Sequence, residues 1–316
     1  MIKIRSLVKK YGDHIAVDNL TLDINENEVF GLLGSNGAGK TTTIHMLATL
    51  LKPSSGSATV NGYDIVCEPA KVRSNIGIVF QAPSSDDILT GYENLHLHSM
   101  LYNVPRHTRK QRIDEVLRLV GLTARKHDQV KTYSGGMRRR LEIARGLLHK
   151  PKVMFLDEPT LGLDPASRET MWNYIKHLVR EEKMTVILTT HYMEEADMLC
   201  DRIAIIDKGR IVALDTPSRL KARLGGDIIR IKTGQSIDKI RQLDFVRKVE
   251  QNNGFLVLSV NNAKRDLPML LRHIEADIAE FTIPTLNDVF IHLTGRNIKE
   301  EEEPEGGFAE RYAKYD

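Results

Sequence analysis

Gly34-Ser35-Asn36-Gly37-Ala38-Gly39-Lys40-Thr41 is the stretch around which the rest of the chain is read. The run Glu28-Val29-Phe30-Gly31-Leu32-Leu33 enters it, and the helical pattern Thr42-Thr43-Ile44-His45-Met46-Leu47 leaves it. The octet fits G-x-x-x-x-G-K-[ST] in a strand–turn–helix setting, the form of a phosphate-binding loop. Its three glycines remove the Cβ atoms that would keep a phosphate away and permit backbone angles other residues avoid. Successive N–H groups then face inward as an anion nest at a helix N-terminus, which already favours negative charge. Lys40 adds a point charge for β and γ phosphates, and Thr41 offers its hydroxyl to Mg²⁺, with Thr42 next in line. A plain Gly-rich turn is the alternative, and the strand before and helix after argue against it.

The 316 residues suit one large domain with a smaller one, and a hydrophobic share of 41% supplies a packed core. A formal net charge of only +3, with both signs interspersed, gives no basic footprint for nucleic acid. No apolar run approaches the roughly 18–20 residues of a membrane span. Met1-Ile2-Lys3-Ile4-Arg5 alternates like a strand and lacks a signal-peptide core. A cytosolic location is therefore expected, with any membrane role supplied by a partner. Cys67 and Cys200 have no metal-binding spacing and read as reduced bystanders.

In order, residues from Ile2 to Ile24 alternate as an antiparallel β layer with a turn at Gly12-Asp13, placing Tyr11 at its tip. A helix runs from the loop to about Leu51, Ser57–Asn61 is a short strand, and Ile76–Phe80 is a buried one. Gln81 follows at that strand's C-terminal edge, where α/β folds place ligands. From Gly91 to about Leu122 the apolar spacing is helical, predicting a helical insertion over about 91–145. Ser134 precedes a helix with Met137, Leu141, Ala144 and Leu148 as one stripe. Arg138, Arg139 and Arg140 are expected on its solvated flanks, phosphate binding being the other reading. Lys152–Leu156 is a strand ending in Asp157-Glu158; a helix from Pro165, strand 185–189, His191, a helix 193–199 and a hairpin 203–214 follow. Gly225-Gly226 marks a boundary at 224/225. Beyond it the order β-α-β-β-α-β over 225–296 is ferredoxin-like, with a helix near Thr285–Leu293 and a charged tail, 297–316, expected to be disordered.

Asp157, at the end of a buried strand behind a phosphate loop, fits the second Mg²⁺-ligating element. Glu158, one residue on, is placed to polarise an attacking water. Ser134-Gly135-Gly136 forms a second phosphate-type helix N-terminus. One triphosphate cannot easily occupy both within a subunit, so two subunits, each presenting Ser134-Gly135-Gly136 to the other's nucleotide, are the simplest solution.

Gly34–Thr41, Gln81, Tyr133–Met137, Val153–Glu158, Leu161-Gly162-Leu163-Asp164 and His191 resemble, in order and spacing, the nucleotide-binding subunits of ABC transporters over about residues 1–224. The resemblance implies an α/β P-loop NTPase cassette that binds and hydrolyses ATP with Mg²⁺. It implies Tyr11 as the adenine-stacking residue, Gln81 as a Mg²⁺ and water contact, and Ser134, Gly135 and Gly136 as the signature facing the opposite subunit's γ-phosphate. Asp164 would bridge to the opposite loop and His191 would contact the γ-phosphate. Tyr133 and Met137 depart from the common Leu-Ser-Gly-Gly-Gln, and Leu161 replaces a usual serine. Gln81–Gly91, Tyr133–Arg140 and Pro284–Arg296 look like the daunorubicin-resistance type of ATP-binding subunit, which serves ABC-2 exporters. The partners so implied are a second copy or close paralogue and a separate membrane permease. The protein would then sit on the inner face of the membrane. A soluble ABC-type ATPase of translation or DNA maintenance is the alternative, though this chain has neither two cassettes nor a long coiled coil.

Overall fold

The computed structural model describes residues 1–233, 240–252 and 255–295, which divide into two compact units at Leu214/Asp215. In the first, β1 (Ile2–Tyr11) and β2 (His14–Ile24) pair antiparallel, with Ile2 opposite Ile24 and Ile4 opposite Leu22. Register shifts interrupt the ladder near Ser6 and Asn19, both with positive φ, as in bulged strands. With β4 (Ser55–Val60) and β5 (Tyr63–Asp64) they form a four-stranded antiparallel sheet in the order β2-β1-β4-β5.

The second sheet holds β3 (Val29–Leu33), β6 (Ile76–Val79), β7 (Val153–Asp157), β8 (Thr185–Thr190), β9 (Arg202–Asp207) and β10 (Arg210–Asp215) in the order β10-β9-β3-β8-β7-β6. The inner pairings are parallel. Every residue of β3, β7 and β8 is buried, as parallel strands covered on both faces require. Ile2, Ile4, Val17 and Leu20 of one sheet and Phe30, Leu32, Phe155 and Ile187 of the other share one core. The ends of β3, β7 and β8 therefore lie side by side, which places the start of the 34–41 loop, Asp157 and Thr190 at one edge of the sheet.

Helix α1 (Lys40–Leu47) stops before the expected Leu51, and Thr49 turns left-handed at φ 65°. Helix α2 (Pro69–Asn75) has no counterpart among the sequence expectations, having one buried residue, Val72, and hence no periodicity. Between β6 and β7 there is no strand. α3 (Gly91–Leu101), capped by a Thr90/Glu93 box, α4 (Arg106–Leu119) and α5 (Gly135–Leu147) fill that interval. α6 (Pro165–Arg180) and α7 (Met193–Leu199) follow β7 and β8.

The second unit begins at Asp215 rather than after Leu224, and α8 (Pro217–Ala222) belongs to it. Its strands β11 (Asp227–Lys232), β12 (Val246–Asn252), β13 (Phe255–Val260) and β14 (Ile278–Thr282) pair antiparallel in the order β12-β13-β11-β14. The first strand lies between the third and fourth, as a split β-α-β-β-α-β demands. α9 (Ala263–His273) packs with Leu270 in a core of Ile229, Ile231, Leu256 and Leu258, and α10 (Leu286–Thr294) lies against α8. Residues 236–239 of the helix expected at 236–243, and the charged tail, lie outside the described residues.

Candidate functional site

Two of the loop's glycines also answer to packing. A Cβ on Gly34 would stand 2.4 Å from Ile206 O, and one on Gly39, where φ is 101°, 2.4 Å from Ala16 O. The loop is thus pressed against the ends of β9 and β2, while Gly37 faces open space. Ser35 and Thr42 are buried, and Asn36 and Gly37 are exposed. Thr43 Oγ1 donates to Gly39 O at 2.8 Å, tightening the first turn of α1. Lys40 is buried and lies across the loop, its Nζ donating to Gly34 O and Ser35 O, each at 2.8 Å.

At the ends of β7 and β8 the carboxylates gather. Asp157 Oδ1 accepts from Thr41 Oγ1 at 3.1 Å and from Thr189 Oγ1. Glu158 takes a left-handed backbone at φ 48°, and its N–H donates to Thr189 O at 3.2 Å and Thr189 Oγ1 at 3.0 Å. That conformation swings its side chain away from Asp157 and toward His191, whose Nδ1 lies 3.0 Å from Glu158 Oε1. Burial alone would raise the Glu158 carboxyl. The His191 hydrogen bond and charge, with Lys40 and Arg139, outweigh it and hold the group below the ordinary range, as a carboxylate. The His191 ring packs 4.2 Å from that of Tyr192, over which Arg168 lies. Glu195 is fully buried and accepts from Thr160 Oγ1 at 2.8 Å and Trp172 Nε1 at 3.3 Å, tying the segment after Glu158 to α7.

Arg139 corrects the expectation of a solvated arginine run. It is only 8% exposed and donates to the carbonyl oxygens of Asp157, Glu158, Pro159 and Phe80. Arg138 does stay near solvent, paired with Asp87, and Arg140 reaches Val120 O at 3.0 Å. Sequence periodicity missed Arg139 because α5 is buried on more than its apolar stripe. Glu142 and Arg145 are buried as well, and Glu142 accepts from Ser84 and Ser85 just past Gln81.

Ser134 caps α5, its Oγ accepting from Met137 N–H at 3.3 Å; Ser134 and Gly135 are exposed while Gly136 is packed on Ser167. Tyr133 is buried, donating its hydroxyl to Arg125 O at 2.7 Å against Gly91. Asp164 caps α6 by accepting from Ser167 N–H at 2.9 Å and is exposed. Its carboxyl sits below the usual range because of its hydrogen bonds to Ser167. Tyr11 ends β1 with Lys9 Nζ 5.0 Å from its ring centre. The fold therefore brings Thr41, Asp157, Glu158 and His191 into hydrogen-bonding contact. Gln81 is exposed beyond β6 and, among the described residues, makes no hydrogen bond to Asp157 or Glu158.

The "ABC transporter" family model matches residues 17–161, and "ATP-binding protein DrrA1-3-like, C-terminal domain" matches 216–294. The linearmycin resistance ATP-binding protein LnrL of Bacillus subtilis (strain 168) is 40% identical over 95% of this chain and 100% of that one. This chain belongs to the ABC transporter ATP-binding family. The daunorubicin/doxorubicin resistance ATP-binding protein DrrA of Streptomyces peucetius is 38% identical over 99% of this chain and 98% of its own. Among solved structures, the dimeric post-hydrolysis state of the ATP-binding cassette MJ0796 bound to ADP and Pi matches with TM-score 0.62 and 28% identity, covering 68% of this chain and 98% of that one. The cbiO1 cassette of Clostridium perfringens matches with TM-score 0.66 and 29% identity, covering 71% of this chain and 91% of its own. The fold is that of an ABC cassette, and the chain is an ATPase subunit. The soluble translation or DNA-maintenance alternative is not favoured, because these relatives are resistance ATP-binding proteins.

Proposed function

We propose that this ATPase subunit drives an ABC-2 type exporter by closing head-to-tail with a second copy, or a close paralogue, around two ATP molecules. Each site pairs the Gly34–Thr41 loop of one subunit with Ser134-Gly135-Gly136 of the other. The observation that carries the reading is the Glu158–His191 contact beside Asp157–Thr41 at one strand edge, while Ser134 and Gly135 stay exposed on another element.

Thr41 and Asp157 supply hard oxygen donors facing each other, a set that fits Mg²⁺, with Gln81 as a further ligand. When bound, Mg²⁺ would neutralise charge on the phosphate oxygens. Lys40 would exchange the carbonyls of its own loop for β and γ phosphate oxygens, Tyr11 would stack on adenine, and Thr42 and the loop N–H groups would hold the phosphates. Glu158 orients a water and takes its proton as the water oxygen bonds to the γ-phosphorus and the bond to ADP breaks. His191 holds Glu158 in place and faces the γ-phosphate, and Asp164 bridges to the opposite loop.

Among the described residues no helix is long and apolar enough to cross a membrane, which fits work through a separate integral permease on the inner face of the cell membrane. That the relatives are linearmycin and daunorubicin/doxorubicin resistance ATP-binding proteins supports outward transport. Glu158→Gln tests the core of this reading. ATP binding should persist, the dimer should be trapped on ATP in size-exclusion chromatography, and turnover should fall by roughly 10²–10⁴-fold. Wild-type turnover in that variant would remove Glu158 from the role.

A further inference from the structure

Arg139 begins on the helix whose tip carries Ser134-Gly135-Gly136, yet its guanidinium ends at the hydrolytic strand. It donates to Asp157 O at 2.7 Å, Glu158 O at 3.0 Å and Pro159 O at 2.9 Å, and also to Phe80 O, immediately before Gln81. A planar fork of five N–H donors can serve four carbonyls at once, whereas a lysine ammonium offers three donors from one point. The carbonyls come from two strand ends, so one side chain fixes the exits of β6 and β7 relative to each other and to α5.

The target is the strained residue. Glu158 has φ 48°, a region that non-glycine residues hold only where the surroundings over-determine them. Its N–H is held from one side by Thr189 of β8 and its C=O from the other by Arg139. These two grips rotate the carboxylate off the Asp157 side and onto His191. Nothing in this geometry is aimed at a phosphate: every contact recorded for the Arg139 fork goes to backbone oxygen within the same subunit.

We propose that Arg139 is a positioning residue for hydrolysis. It holds the Glu158 backbone in its left-handed conformation and links the phosphate-facing helix α5 to the Glu158 and Gln81 ends of the same subunit. When α5 engages the partner's nucleotide, the segments carrying Glu158 and Gln81 are set with it. This rests on the reading of Glu158 as base and of Ser134-Gly135-Gly136 as the trans contact.

The test uses the purified full chain, with Arg139→Gln, Arg139→Lys and Glu158→Gln compared in nucleotide binding and single-turnover hydrolysis. Arg139→Gln should hydrolyse about 100-fold more slowly, the scale of an ångström-sized misplacement, with nucleotide affinity changed by no more than about threefold. Arg139→Lys, which keeps the charge and some donors, should lose about tenfold. If Arg139→Gln does not fold, Arg139→Lys carries the decision. Wild-type hydrolysis in the folded variants, or parallel losses of affinity and turnover, would overturn the inference while an inactive Glu158→Gln left the base assignment standing. An active Glu158→Gln would remove both.

Discussion

Glu142→Ala should loosen the first unit far more than its place on a mostly polar helix suggests. Glu142 is 5% exposed and accepts from Ser84 N at 3.1 Å, Ser84 Oγ at 3.0 Å and Ser85 N at 2.8 Å, and from Arg145 Nη1 at 2.7 Å. Arg145 is itself 8% exposed, so alanine leaves a guanidinium in the interior without its acid. Breaking a buried pair this way costs about 3–5 kcal/mol. At about 2–4 °C per kcal/mol for a unit of this size, the melting temperature should fall by roughly 6–20 °C. Trp172, the only tryptophan and buried in α6, reports this unit's unfolding by its emission. The pH dependence has a defined sign. Burial pushes the Glu142 carboxyl up, but Arg145 and the two serines outweigh it and hold it below the ordinary range. Its stabilisation is therefore present above the unfolded value of about 4.3 and is lost as pH falls through the lower folded value. The gap between wild type and variant should be full at pH 7 and shrink in acid. Replacing both Glu142 and Arg145 by methionine should recover most of the loss, because an apolar pair of similar volume has no charge to strand. A single variant melting within about 1 °C of wild type at neutral pH, or a double variant no more stable than the single, would refute the reasoning.

Two further outcomes follow from close contacts elsewhere in this unit. In Gly136→Ala the new methyl would meet Ser167 Oγ at 2.9 Å and Ser167 Cβ at 3.2 Å, an overpacking expected to cost about 1–3 kcal/mol; adding Ser167→Gly should restore part of it in thermal melts, and no restoration would discount the clash. For Glu195, burial raises the carboxyl against the hydrogen bonds of Thr190, Thr160 and Trp172. Its neutral form favours folding below the unfolded value of about 4.3, and that advantage declines as pH rises toward the folded value, so Glu195→Gln should gain on wild type as pH rises above about 4.3 in scanning calorimetry. A pH-independent difference would contradict this.

The strand–turn–helix around the Gly-rich loop, the strand that ends at Asp157 and the capped start of α5 were legible in the sequence because each is specified within a few adjacent residues. Strand, Gly-rich turn and helix succeed one another at 29–47, and Ser134 caps the helix that follows it. The reasons behind individual residues were less legible. Gly34 and Gly39 read as phosphate-facing, and nothing local showed that their missing Cβ atoms also make room for Ile206 O and Ala16 O of other strands. Gly225-Gly226 read as a domain break, but the units part at Leu214/Asp215, and Gly226 instead allows close approach to Val260 O, 2.4 Å from where its Cβ would lie. Arg139 was misread for the same reason. Helical periodicity reports one apolar stripe, and nothing local reveals that segments 80 and 157–159 cover another side of α5.

That hidden side explains why α5 carries buried charge at all. Arg139, Glu142 and Arg145 each answer to a different segment: the exits of β6 and β7, the loop past Gln81, and His98 of α3. An apolar helix would pack there without the desolvation cost, but apolar contacts tolerate sliding, whereas a forked hydrogen-bond set is lost after a shift of about 1 Å. The three charged residues therefore fix direction and register more than they add stability. A helix so tethered cannot approach a phosphate at its N-terminus while leaving Glu158 and the Gln81 loop behind, so the two ends of the site move together or not at all.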